Sequence, residues 1–472
     1  MPAKYHIHVR RVPPRYSPIA KSTIIDWAEG CLRCTHCVKE QCPVDAYRKR
    51  GFDRSQFVDT IDEICRDCYR CVQGCPRELI FKAANPQYRQ MGDEYWTPEI
   101  LATTWYQAET GKIPVSGAGY GGRFAGPGFD SFWTDMSEIV RPTRDGIHGR
   151  EYISTSVDLG RKPMFLTFNA QGELDWPSPP LLELPLPIIL AEPAFAPNRS
   201  GMQEIITEAA KSLETLALLG RDRLAKGIEK SAHLLMPSYT TGSLDLKDPL
   251  LAKVRALEIL DQPGVLEQIE AVKKRYPDLV ISIKVPADGK VVERVAELTA
   301  AGAEIIHIYA SEQARGLEDF GEMHLKDIIR RCHLKLVEER LRDTVTLLVS
   351  GGLALAEHVA KAIICGADAI IVDLPLLLAL ECRLCRQCAT KSGPCPVEID
   401  QLTTKRGAQR LINLIGAWNN QLLEIMGAMG MREVRRLRGE VGRAMFIEDL
   451  EKEIFAPLFA NREVETIKRE PN

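Results

Sequence analysis

Residues Val280–Ala310 read VISIKVPADGKVVERVAELTAAGAEIIHIYA. VISIKV is a short, almost continuous apolar run rich in β-branched residues, the pattern of a strand covered on both faces. VVERVAELTAAGA then carries its apolar residues at helical spacing, and IIHIYA is a second buried run. Strand, helix, strand at this rhythm is a parallel crossover unit. The rhythm extends in both directions. PIILAE precedes a helical stretch read as GMQEIITEAAKSLETLALLG, and AHLLMPS precedes one read as KVRALEIL. IIHIYA leads to LKDIIRRCHLKLVEERL, TLLVSGG leads to LAEHVAKAIICGA, and AIIVDL closes the series. The expected fold class is α/β, a (β/α)8 TIM-type barrel, although six strands are counted where eight are needed for closure.

Three cysteine runs flank this region. The first is CLRCTHCVKEQCP (Cys31, Cys34, Cys37, Cys42), the second CRDCYRCVQGCP (Cys65, Cys68, Cys71, Cys75) and the third CRLCRQCATKSGPCP (Cys382, Cys385, Cys388, Cys395). Thiolates two residues apart can wrap one face of a cluster, while a fourth beside a proline reaches across. Four-cysteine zinc sites use two separated pairs instead. The first two runs resemble the bacterial ferredoxin run, in which the fourth cysteine ligates the other cluster. That resemblance implies Cys31, Cys34, Cys37 and Cys75 on one [4Fe–4S] cluster, and Cys65, Cys68, Cys71 and Cys42 on its neighbour. The third run supplies four thiolates for a third cubane next to the last barrel strand, on the face where barrel enzymes do chemistry.

The 472 residues divide on this reading into a two-cluster ferredoxin-like domain over 1–84, an aromatic and glycine-rich connecting region over 85–175, the barrel with the third motif over 176–400, and a helical C-terminal tail over 401–472. The start KYHIHVRRV alternates like a short strand. Gly117, Gly119 and Gly122 satisfy G-x-G-x-x-G, but RFAGPG follows in place of a helix, so the dinucleotide context fails. A proline-rich joint, WPSPPLLELPLP, spans Trp176–Pro187. Cys332 and Cys365 sit in helical patterns as buried thiols, and His333 and His358 stand alone on helices.

Composition is that of an ordinary globular protein, 45% hydrophobic and 26% charged, with a net charge of −3. Such a balance gives no electrostatic basis for nucleic acid or membrane-surface binding. The longest apolar run, Ala369 to Leu380, contains Asp373 and is too short to span a bilayer. No apolar stretch follows the basic start, and cysteines used as metal ligands belong in a reducing compartment, so a cytoplasmic location is expected.

With these parts placed, the chain resembles the large subunit of archaeal-type glutamate synthase, as a divergent member. The likeness runs through WTPEILATTWYQAETGKIPVSGAGYGG, EYISTSVDLGRKP, VISIKV, LRDTVTLLVSGGL and EIMGAMGMREVRRLRG. It implies FMN at the C-terminal face of the barrel, reduced through the clusters, and reduction of 2-iminoglutarate made from 2-oxoglutarate and ammonia. Lys284 falls where the family places a lysine near flavin and substrate. Ser350, Gly351 and Gly352 match the glycine pair whose amides receive the flavin phosphate. With no cysteine nucleophile after Met1, ammonia would come from a separate glutaminase-like subunit or from solution.

The chain also departs from the family. AEPAFAPNRSG stands for the turn after the first strand, YASEQARGLEDF for the loop after IIHIYA, and Asp373-Leu374 for a phosphate-binding Gly-Thr. A carboxylate beside a phosphate dianion in a partly dry pocket costs on the order of a few kcal/mol. Two functions follow as expectations. One is an iron–sulfur oxidoreductase passing electrons to FMN in the barrel. The other is a flavin-free electron-transfer subunit of a larger redox complex, with partner proteins as donor and acceptor.

Overall fold

The structure is a computed structural model and describes residues 5–26, 29–49, 60–113, 128–134, 153–174, 179–240 and 244–459. The glycine-rich match at Gly117, Gly119 and Gly122 lies outside the described residues. In chain order, β1 (Ser22–Asp26), α1 (Arg70–Gln73) and β2 (Ile80–Ala84) frame the first two cysteine runs. The strands pair antiparallel, Ser22 opposite Ala84. α2 (Pro86–Arg89), α3 (Pro98–Thr110) and the short strands β3 (Phe132–Thr134), β4 (Val157–Leu159) and β5 (Leu182–Leu184) form the connection.

Next come β6 (Ile188–Ala191), α4 (Arg199–Ser212), β7 (Ala217–Gly220), β8 (Leu235–Tyr239), β9 (Ala256–Leu260) and α5 (Val265–Arg275). β10 (Val280–Pro286), α6 (Val291–Ala300), β11 (Ile305–Tyr309), α7 (Leu325–Glu338), β12 (Thr346–Ser350), α8 (Ala356–Cys365) and β13 (Ala369–Val372) follow. β6 through β13 make a closed barrel, sealed where Ile370 of β13 pairs with Ile188 of β6. The two strands beyond the expected six are β7 and β9. Both are runs of four or five residues, ALLG and ALEIL, that the sequence pattern joins to helical stretches. Periodicity cannot separate such short apolar segments from buried helix.

The β10–α6–β11 unit forms as the sequence pattern predicts. Val291, Val295 and Leu298 make the buried stripe of α6, and Ile305, Ile306 and Ile308 of β11 are buried. After β13 the chain forms α9 (Leu374–Ala379), the third cysteine run with α10 (Gln387–Thr390), α11 (Thr404–Ala428) and β14 (Ala444–Phe446), which pairs with β3. The tail expected after residue 400 begins with α11. It packs on α4 and α8, the ring position that follows β13.

The start KYHIHVRRV forms no strand over its described residues. Asn413 of α11 binds the backbone of Arg10 on both sides, at 3.0 and 2.7 Å, and the Tyr5 hydroxyl donates to the Leu213 carbonyl at 2.7 Å. Those side chains replace the ladder that a lone strand would lack. Cys332 and Cys365 are buried, and burial pushes both thiols up to about 12. Among the described residues no helix is long and apolar enough to cross a membrane.

Candidate functional site

The first two cysteine runs interleave around two cavities. One is lined by Cys31, Cys34, Cys37 and Cys75, the other by Cys42, Cys65, Cys68 and Cys71. Each cavity therefore takes three thiols from one run and the fourth from the other. The longer spacing between Cys37 and Cys42 is accommodated in a π-helical turn over Cys37–Gln41, while the shorter one after Cys71 follows α1.

All three runs share one backbone form. Residues two and four positions after the first cysteine are left-handed: Arg33 and Thr35, Asp67 and Tyr69, Leu384 and Arg386, with φ from 53° to 63°. The residue three positions after each Cys-Pro cysteine is left-handed as well: Asp45, Glu78 and Glu398. Non-glycine residues at positive φ cost about 1–3 kcal/mol each and persist where the surroundings require them. Here the turns bring backbone amides onto sulfur. Arg33 N donates to Cys31 at 3.4 Å, Ala46 N to Cys42 at 3.2 Å, Leu79 N to Cys75 at 3.4 Å and Leu384 N to Cys382 at 3.4 Å. Amides aimed at thiolates suit a negatively charged iron–sulfur cluster. Among the described residues no three His, Cys, Asp or Glu side chains converge on a single-ion site. None of the fourteen cysteines forms a disulfide.

The third run stands at the barrel's C-terminal end, separated from β13 by α9. Burial pushes the Cys382 thiol up to about 12, with Cys385, Cys388 and Cys395 close enough to add to the shift. The connecting region supports this loop: the Trp105 indole donates to the Cys382 carbonyl at 3.3 Å and Gly92 N to the Arg383 carbonyl at 3.3 Å. Arg386, between Cys385 and Cys388, reaches the strand-end loops. It pairs with Glu312 at 2.8 Å and lies over the Phe195 ring at 5.3 Å. The cysteine loop is thus tied to the loops after β6 and β11.

Inside the same end of the barrel Lys284 and Ser350, both expected at the site, join a polar line whose other members, Ser238, Glu258 and His307, the sequence did not single out. Glu258 of β9, fully buried, accepts from the Ser238 hydroxyl at 2.8 Å and contacts His307 Nδ1 at 2.6 Å. His307 Nε2 meets Ser350 Oγ at 2.7 Å. Lys284 Nζ stands 4.0 Å from Glu258 and 4.8 Å from the centre of the Tyr309 ring. Burial would raise the Glu258 carboxyl, but His307, Lys284 and Ser238 outweigh it and hold the group below its ordinary value. The visible signal is one acid inside ALEIL and one histidine inside IIHIYA, each a polar interruption of an apolar strand.

Ser350, Gly351 and Gly352 lie at the end of β12. A Cβ on Gly351 would meet the Ala310 carbonyl oxygen at 2.5 Å, and one on Gly352 would meet Ala314 N at 2.1 Å. The Gly352 carbonyl takes the Tyr95 hydroxyl, and Trp96 Nε1 donates to the Glu312 carbonyl at 2.9 Å. The glycine pair thus serves close backbone packing beneath the aromatic connection. Asp373 caps α9, accepting from Leu374 N at 2.6 Å, and burial raises its carboxyl, with Glu312 adding to the effect. An acid that claims the first amide of α9 leaves no donor for an anion there. The residues at this place do not fit a phosphate dianion.

The fold and its thiol sites define a (β/α)8 barrel protein bearing three cysteine-rich loops. A family model described as a conserved region in glutamate synthase matches residues 248–432. An archaeal-type glutamate synthase [NADPH] of Dehalococcoides mccartyi is 26% identical over 480 residues, covering 88% of this chain and 93% of that one. An archaeal glutamate synthase [NADPH] of Methanocaldococcus jannaschii is 26% identical over 510 residues, covering 93% and 98%. The chain is a divergent relative of the archaeal-type glutamate synthases. Among solved structures, a mandelate oxidase variant aligns with a TM-score of 0.40 at 17% identity, over 65% of this chain and 97% of that one.

Proposed function

We propose that the protein is an iron–sulfur oxidoreductase of glutamate synthase-like build. In this reading twelve cysteines hold three [4Fe–4S] clusters: Cys31, Cys34, Cys37 and Cys75; Cys42, Cys65, Cys68 and Cys71; Cys382, Cys385, Cys388 and Cys395. Such clusters carry single electrons at potentials set by charge, hydrogen bonds and exposure. The observation that carries the reading is the interleaving of the first two runs around two cavities, with a third loop of the same backbone form at the barrel end. Lys284, Glu258, His307 and Ser350 give the barrel mouth a cation and a protonatable line. That equipment suits proton-coupled reduction of a small substrate. A protein electron donor, a cytoplasmic setting and, for glutamate-type chemistry, a separate ammonia-supplying subunit belong to this reading.

A second reading, a flavin-free electron-transfer subunit of a larger redox complex, is favoured by Asp373 and by the packing of Gly351 and Gly352. Anaerobic purification with iron, sulfide and acid-released flavin assays tests both. About twelve irons per chain are expected. Iron below about four per chain after reconstitution would overturn the oxidoreductase reading. About one flavin per chain would reject the second reading, whereas no flavin even after adding FMN would favour it and turn the search to partner proteins.

A further inference from the structure

The two N-terminal thiol cavities differ in one buried ammonium, while His36, paired with Glu40 at 2.5 Å, lines only the other cavity. Lys82 of β2 lines the cavity of Cys42, Cys65, Cys68 and Cys71, and its ammonium donates to Cys65 Sγ at 3.0 Å. Its side chain is 1% exposed and is held by Asp67, which also takes the Ser22 hydroxyl. The Tyr69 ring lies 5.1 Å from the ammonium. The other cavity has no such group among its lining residues. Its sulfurs receive backbone amides from Arg33 and Leu79, and its arginine, Arg77, is matched by Arg66 in the first. Tyr47 also lines the Lys82 side, beside Cys71.

A buried ammonium on a ligand sulfur stabilises the more negative state of whatever that sulfur ligates, because Coulomb attraction is strong where water is excluded. We propose that Lys82 sets the potential of the cluster held by Cys42, Cys65, Cys68 and Cys71 above that of its neighbour, so that a single electron entering the pair comes to rest there. The inference rests on the iron–sulfur reading above. In the transfer, one electron leaves the Cys31-side site, which is oxidised by one, and enters the Lys82 side, which is reduced by one; no bond forms or breaks.

The test is a dithionite titration of the anaerobically reconstituted full chain, followed by electron paramagnetic resonance. Lys82→Met is expected to lower one N-terminal midpoint and leave the other in place. The partition of one electron between the two would shift on the order of tenfold, about 59 mV for a one-electron couple. Asp67→Asn removes the negative partner and keeps an amide able to adopt a left-handed backbone, so the same midpoint should rise. Lys82→Arg should stay near wild type. A purely structural role predicts loss of iron in both variants with no opposed shifts, and unchanged midpoints in loaded variants would overturn the proposal. If Lys82→Met loses iron, the double variant Lys82→Met, Asp67→Asn avoids the stranded carboxylate, and its midpoint must fall relative to Asp67→Asn. A wild-type chain without N-terminal cluster signals would instead reject the iron–sulfur reading itself.

Discussion

The paired cysteine loops near the N-terminus and the single loop at the barrel end share their left-handed positions but not their support. The first two rest on a small core of Ile24, Ala46, Tyr47, Cys71 and Ile80. The third contributes Cys382, Leu384, Val397 and Ile399 to the continuous core of the barrel. A handful of buried residues cannot offset the entropy of ordering sixty or so, at roughly 1–2 kcal/mol each. In such a unit metal binding is folding energy. A loop anchored to a barrel does not need its metal to stay folded. The same ligand motif can therefore be a fold's keystone in one place and an attachment in another.

The largest effect expected from this contrast is on removing iron. Chelation under reducing conditions should open residues 22–84 to proteolysis and hydrogen exchange while the barrel strands from Ile188 to Val372 stay protected. Simultaneous loss of both regions, or protection of both, would break the comparison. The middle cysteines sharpen it, since Cys68 and Cys385 are both exposed and occupy the same place in their runs. Cys68→Ala should lose about four irons per chain together with the local fold. Cys385→Ala should lose iron only at the third site, or leave a three-iron centre, with an unaltered barrel melting transition. Equal losses of structure in the two variants would count against a difference in support.

A smaller effect is expected where the third loop meets the barrel. Arg410 of α11 is almost fully buried, pairs with Glu381 at 3.3 Å and donates to the Ala379 carbonyl at 2.5 Å, next to the first cysteine of the run. Burial pulls its guanidinium down to about 10. Removing one partner of a buried pair costs about 3–5 kcal/mol where the other charge is stranded, and less here, because Glu381 keeps the Arg15 guanidinium at 3.5 Å and the Arg15 amide. Arg410→Met should lower the unfolding free energy of the barrel, seen as a fall in its denaturant midpoint, and release iron from the third site first. A midpoint within experimental error of wild type would show that the pair does not hold the loop.

The cysteine spacing made the thiol sites legible, because a cluster ligand set is a local pattern written in one residue type. Six barrel strands were legible for a similar reason, each a clear apolar run between helices. What escaped was short or nonlocal. β7 and β9 are too brief to differ from helix ends by pattern. Glu258 and His307, 49 residues apart, meet only because β9 and β11 flank β10 in the closed barrel. The packing of Gly351 and Gly352 escaped for the same reason, since what lies against them, Ala310 and Ala314, comes from another loop. Lys82 likewise gave no signal, being one lysine in an amphipathic strand until β2 brings it onto Cys65.

The smallest effect concerns Asp373, where the two ends of the comparison can be separated by pH. Burial raises its native carboxyl above the ordinary value of about 4, so the folded chain binds a proton that the unfolded chain has already released. Stability from this group is therefore fully present below the unfolded value and is lost as pH rises through the raised native one. Asp373→Asn keeps an oxygen for the Leu374 amide and carries no charge. The variant should match wild type in acid and become relatively more stable with rising pH, by about 1.4 kcal/mol for each unit of native shift traversed. Parallel stability curves at every pH would show that the carboxyl titrates normally. Added FMN probes the same charge: if Asp373 alone keeps a phosphate from the end of β13, the asparagine variant gains flavin binding. If the packing around Gly351 and Gly352 excludes it as well, the variant stays flavin-free.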